Sequence, residues 1–193
     1  MRYVLASSSP RRKELMKSIS SSFLIDVSNV DESVPDTLSP KEAVREISYR
    51  KGEVVAKRHK DDIVISADTI VVLNNLIIGK PKDEEDAKRI LRLLSDKEHH
   101  VYTSYHIFYK GQTIQNTVDS SVYFNKLNDK LINEYIATGS PLDKAGAYGV
   151  QDNEKYPIVK KITGSINNII GFPVEEIIES LKNIKLFLSS KDR

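Results

Sequence analysis

The chain has no cysteine, which excludes disulfides, thiolate metal sites and thiol nucleophiles and fits a reducing cytoplasm. A strong excess of one charge is also missing. Lys and Arg number 29 against 27 Asp and Glu, and a net charge of +2 is too small to drive general binding to nucleic acid or to a membrane surface. No aromatic-basic RNA-recognition motif is present. Long apolar runs are absent as well. Serines interrupt the stretch after Met1-Arg2 too early for a secretory signal, and the most apolar later region, Ile63 to Leu73, contains Asp68 and is too short to span a bilayer as a helix. We therefore read the chain as cytoplasmic. Internal repeats, heptads, a nucleophile elbow and a dinucleotide fingerprint are lacking. The histidines His59, His99, His100 and His106 show no metal-ligand spacing, and His99-His100 reads as a surface pair on opposite faces of a strand.

What is present describes an ordinary globular chain. With 193 residues, 39% hydrophobic and 29% charged, it fits one domain over residues 1–193, or two lobes around one cleft. Strands are expected at Tyr3 to Ala6, Phe23 to Val27, Ile63 to Ala67 and again Ile70 to Leu73, with Asn74-Asn75 turning the chain into Leu76-Ile77-Ile78. Val101 to Tyr109 and Thr113 to Phe124 alternate around Lys110-Gly111-Gln112 as an antiparallel pair, and Ile158 to Ile162 and Ile166 to Ile170 read as further strands. Ser9-Pro10 and Ser39-Pro40 each combine a cap with a first-turn proline, the second opening a long helix to about His59. Helices are also expected over Asp83 to Ser95, over Leu131 to Ala137 with Gly139 as its stop, and from Pro173 through Leu188, with Ser189 to Arg193 frayed. This mixture without strict alternation predicts an α/β fold with a mixed sheet flanked by helices.

Several polar residues sit where the local grammar does not require them. In Ser7-Ser8-Ser9-Pro10-Arg11-Arg12-Lys13, cations occupy the positive end of a helix, which ordinarily favours acids. An anion held by N–H groups, hydroxyls and guanidinium forks would make the arrangement favourable; a solvated basic turn is the alternative. Asp68 interrupts an apolar run, where a carboxylate must be paired, hydrogen-bonded or metal-bound, unless it caps a turn at a strand end. Asp31 and Glu32 could add a second carboxylate for a hard cation such as Mg²⁺, or could simply be solvated. Lys51 and Lys80 read either as phosphate contacts or as exposed lysines. Gly79-Lys80-Pro81 is no Walker motif, because Asn74 replaces the first glycine and proline follows the lysine. Leu142 to Gln151 combines Gly146 and Gly149 with Asp143, Lys144, Tyr148 and Gln151, which permits close backbone approach to a ligand.

In this order the segments resemble the Maf family of nucleoside triphosphate pyrophosphatases. The residues that carry the resemblance are Leu5 to Arg12, Glu32 before Pro35, Lys51, Ala67-Asp68-Thr69, Gly79-Lys80-Pro81, Leu93-Leu94-Ser95 with Val101 and Thr103, Asp143 to Gln151, and Gly171-Phe172-Pro173. The resemblance implies a fold similar to that of the inosine triphosphate pyrophosphatases, a homodimer, and a divalent cation (Mg²⁺, Mn²⁺ or Co²⁺) held by Glu32 and Asp68. It implies hydrolysis of a nucleoside triphosphate to the monophosphate and pyrophosphate by attack of water on the α-phosphorus, with Asp68 as the catalytic carboxylate. Ser7, Arg11, Arg12, Lys51, Thr69, Lys80, Asp143, Lys144 and Gln151 would bind substrate. Asp143 to Gly149 is similar to the branch acting on dTTP and UTP, with Arg11, Thr69 and Gln151 as specificity positions. The family's association with arrest of septum formation implies an alternative, a nucleotide-binding regulator without turnover.

Overall fold

The computed structural model describes residues 2–191, which form seven strands, six α-helices and three short 3₁₀ turns. In chain order these are β1 (Tyr3–Leu5), α1 (Pro10–Met16), β2 (Leu24–Ile25), α2 (Pro40–Arg58), β3 (Ile63–Leu73), β4 (Leu76–Ile78), α3 (Glu84–Leu94), β5 (Glu98–Tyr109), β6 (Gln112–Phe124), α4 (Asp129–Ile136), turns at Ser140–Asp143, Ala145–Ala147 and Val150–Asp152, β7 (Val159–Thr163), α5 (Ile166–Ile170) and α6 (Val174–Lys191). The sheet order is β2-β1-β3-β5-β6-β7, with β4 on β3. β1 runs parallel to β2 and β3, and the remaining pairs are antiparallel, so the sheet is mixed as expected.

Local chemistry fixes the helix starts. The Ser9 hydroxyl accepts from the Arg12 N–H ahead of Pro10, and Ser39 forms a full capping box with Glu42 ahead of Pro40. Asn74 and Asn75 both adopt positive φ, 49° and 65°, the turn a two-residue hairpin requires.

β3 is one continuous eleven-residue strand, not two pieces broken at Asp68-Thr69. Its neighbours explain the misleading polarity. β1 pairs with Ile63 to Ile65 and β4 with Val71 to Leu73, so among the described residues 66–70 are hydrogen-bonded to β5 on one side and to no strand on the other. Side chains alternate across the strand. Val64, Ile70 and Val72 meet α2, whereas Ile63, Ile65 and Ala67 join a core with α1 and α6, and Val71 and Leu73 join another with α3 and α4. Thr69 lies between those last two cores and is the one half-exposed residue of the strand. The cleft opens beside Thr69, between these two cores.

Two further expectations are corrected. Ile166–Ile170 is a helix because Ser165 caps it through the Asn168 N–H and Gly171 ends it at φ 114°; these caps outweigh the β-branched run. His99 is buried, not superficial: its Nε2 lies 2.9 Å from the Tyr148 hydroxyl and its ring packs edge-on against Phe124. Smaller shifts occur at element ends. Strand β2 keeps only two of the five residues expected, α4 ends at a right-handed Ala137 cap with Gly139 two residues further on, and the expected fraying over Ser189 to Arg193 falls partly outside the described residues. Among the described residues no helix is long and apolar enough to cross a membrane.

Candidate active site

Helix α1 brings its cations to the cleft at the open edge of β3. The cleft measures about 630 Å³, and all eleven residues to which the resemblance assigns a role, from Ser7 to Gln151, line it; of the acidic pair offered by the sequence, Glu32 does and Asp31 does not. Arg12 is held at each of its three nitrogens: Nε donates to the Gly171 carbonyl at 2.9 Å, Nη2 to Thr69 Oγ1 at 3.1 Å and Nη1 to Ser7 Oγ at 3.3 Å. Loss of solvent pulls its pKa down, against the attraction of Asp68. Thr69 Oγ1 is also 2.9 Å from Thr103 Oγ1, which donates to the Asn168 carbonyl, so the guanidinium is tied through β3 and β5 to α5. Arg11 instead reaches across the cleft, where Nη1 donates to Asp143 Oδ2 at 2.7 Å. The two neighbours have different surroundings.

Asp68 projects from β3 toward α2. Its Oδ1 accepts from Lys51 Nζ at 2.7 Å, and the same ammonium lies 2.9 Å from Glu32 Oε2. Asp68 and Lys51 are largely buried, while Glu32 is exposed. The turn-capping alternative for Asp68 is therefore set aside, and the carboxylate is paired in mid-strand as its burial demands. Close approach of α2 makes the pairing possible. A Cβ on Gly52 would lie 2.2 Å from Phe108 and 2.3 Å from Ser66 Oγ. One residue group earlier, Ser48 Oγ lies 2.8 Å from His106 Nδ1 and the Ser48 carbonyl accepts from Ser66 Oγ, fastening helix to sheet.

The opposite wall is built from the 3₁₀ turns. Lys144 donates to the Ser140 carbonyl at 2.5 Å, to Ser140 Oγ at 3.0 Å and to Asp143 Oδ1 at 2.8 Å, so its three protons are used within the protein. Burial raises the Asp143 pKa, but hydrogen bonds from Lys144 and Arg11 outweigh it and hold the carboxyl below its ordinary value. Gln151 is exposed on a turn anchored by Asp152, whose Oδ2 accepts from the Tyr135 and Ser140 hydroxyls at 2.7 Å each. Tyr135 in turn accepts from the Gly149 N–H at 2.9 Å. Lys80 is exposed beside this wall, and the neighbouring Gly79 carbonyl accepts from the Gly146 N–H at 3.1 Å.

Sequence reasoning missed the supporting residues: Asp152, Tyr135, Thr103 as a hydrogen-bond relay, Ser48 and His106. No local pattern marks them, since they act on partners 12 to 65 residues away. Three or more His, Cys, Asp or Glu side chains suited to a metal do not cluster among the described residues. The Asp68–Glu32 pair nevertheless fits a hard cation that retains other oxygen ligands, because both carboxylates converge on a single point of positive charge, the Lys51 ammonium.

The chain is similar to known proteins in sequence and in fold. A dTTP/UTP pyrophosphatase of Geobacillus sp. (strain WCH70) is 42% identical over 181 residues, covering 94% of this chain and 97% of that one. Another, from Alkaliphilus metalliredigens (strain QYMF), is 45% identical over 183 residues, covering 93% and 94%. The structure of the Staphylococcus aureus Ham1 protein aligns with a TM-score of 0.55 at 14% identity over 95% of this chain and 99% of that one, a likeness of fold. It agrees with the α/β architecture expected from the resemblance. The family model described as Maf-like protein matches residues 2–184, and the chain belongs to that family.

Proposed function

We propose that the protein hydrolyses dTTP and UTP to the monophosphate and pyrophosphate. The observation that carries this reading is the charge pattern of the cleft: Arg11, Arg12, Lys51 and Lys80 surround a carboxylate pair held 2.7 and 2.9 Å from one ammonium. Such a site suits a polyanion whose reacting phosphorus must meet an activated water. Relatives named dTTP/UTP pyrophosphatases at 42% and 45% identity support the choice of pyrimidine nucleotides.

Asp68 is the group that accepts the proton of the attacking water, and the bond between the α-phosphorus and its bridging oxygen breaks to release pyrophosphate. Glu32 and Asp68 would hold the divalent cation, which when bound supplies Lewis-acid polarisation of phosphate oxygens. Lys51 and Lys80 neutralise charge on the triphosphate. Arg12, fixed by Ser7, Thr69 and Gly171, presents a rigid guanidinium, whereas Arg11 exchanges Asp143 for substrate. Arg11, Thr69 and Gln151 distinguish base and sugar. Lys144 acts by holding Asp143 and its turn in place.

The decisive experiment incubates the protein with each common nucleoside triphosphate and Mg²⁺ or Mn²⁺ and separates the products. Pyrophosphate with TMP or UMP is expected. Inorganic phosphate with diphosphates, or tight binding without turnover, would refute the reading.

A further inference from the structure

Residues 26–39 join β2 to α2 without forming a helix or strand, yet Glu32 reaches the cleft from the middle of this strap. A chain lacking a hydrogen-bonded ladder samples many backbone states, so a carboxylate on it needs an external hold. The hold comes from one helix. At the start of the strap, Arg58 of α2 donates to both Asp26 carboxylate oxygens at 2.7 and 2.9 Å and to the Val27 carbonyl at 3.2 Å. At its centre, Arg50 Nη1 donates to the Ser33 carbonyl at 2.8 Å and to the Asp31 carbonyl at 3.3 Å. These two carbonyls flank Glu32. The plane of the guanidinium is set by Nε, which donates to Glu46 Oε1 at 2.8 Å one turn earlier. Within the strap, Asp31 accepts from the Ser33 N–H at 2.9 Å and hydroxyl at 2.6 Å, closing a tight turn with Glu32 at its apex.

We propose that Arg50 is a positioning residue: it clamps the carbonyls of the residues before and after Glu32 so that this carboxylate meets Lys51 opposite Asp68. Adjacent residues of α2 thereby hold the backbone and the side chain of the same acid, Arg50 the first and Lys51 the second. Two hydrogens of one planar nitrogen, with the plane anchored at Nε, define a direction that a rotating ammonium does not. The consequence for turnover rests on the reading of the cleft as a hydrolytic site; the clamp itself does not.

The test measures hydrogen exchange across residues 27–38, together with kcat and KM for dTTP with Mg²⁺, in the wild type, Arg50→Ala, Arg50→Lys and Lys57→Ala. The last removes a different ion pair of α2, Lys57 with Glu53 at 3.1 Å. Arg50→Ala is expected to accelerate exchange in the strap by about tenfold, leaving β3 and β5 unchanged, and to lower kcat by about tenfold while KM moves less than about threefold. Arg50→Lys should recover less than half of the loss, and Lys57→Ala should match the wild type. Unchanged strap exchange in Arg50→Ala, full rescue by lysine, a change confined to KM, or faster exchange throughout the protein would each overturn the proposal. A wild type that releases no pyrophosphate would refute the functional reading alone, because the exchange measurements still decide whether Arg50 clamps the strap.

Discussion

Arg11 and Arg12 are sequence neighbours held by unlike partners. Arg12 satisfies three acceptors through three nitrogens, so Arg12→Lys is expected to cost about 1–3 kcal/mol of stability as well as substrate affinity, read from urea midpoints and KM. Arg11 has only Asp143, and Arg11→Ala is expected to change the ratio of kcat/KM between dTTP and other triphosphates with little change in stability. Equal shifts in nucleotide preference from both variants would argue against the division. For Asp68→Asn, kcat should fall by about 10²–10⁴, the span for loss of a general base, with the circular dichroism spectrum retained. The candidacy of Asp68 was legible as a carboxylate in an apolar run. Its pairing with Lys51 was not, since 17 residues and a helix-to-sheet contact separate them.

That contact is a property of elements. Helix α2 was legible at both ends, opening at Ser39-Pro40 and running to about His59. Its distance from the sheet was hidden, because it depends on Gly52 facing Phe108 and Ser66, which no local pattern records. Gly52→Ala is expected to force α2 outward, destabilise the protein by about 1–3 kcal/mol and lower kcat more than KM, as Lys51 withdraws from Asp68; denaturation and steady-state kinetics read both effects. Where the sequence reading failed, competition between signals was the cause. Ile166 to Ile170 carries strand-like residues between helix caps, and the caps prevailed. Asp68-Thr69 resembled a strand break because a missing neighbour strand, not a turn, admits polar groups there.

For the molecule as a whole, burial of histidine sets the response to acid. Loss of solvent pulls the pKa of His99 down to about 3, with help from the nearby charge of His100, and that of His106 down to about 4, with help from Arg45. Both are neutral in the fold, whereas in the unfolded chain they bind protons below pH ~6.5. The stability they contribute is therefore complete above that value and falls as pH drops through 6 and 5 toward their folded pKa values. Between pH 7 and pH 5 the loss is about 2 kcal/mol for each, measured by urea titration, and His106→Gln should flatten the dependence. The mixed α/β sheet was legible in the sequence; the two cores that meet at Thr69 were not, because their meeting point depends on the sheet register. That register has an evolutionary corollary. Asp68 and Thr69 are consecutive residues on opposite faces of one strand that is buried on both, so inserting or deleting a single residue in β3 would exchange their sides and set Asp68 against the core beside Arg12 instead of against Lys51. Descendants of this gene can swap side chains along the cleft or lengthen the turns of its far wall around Gln151, but a change of length within β3 would misplace both residues at once.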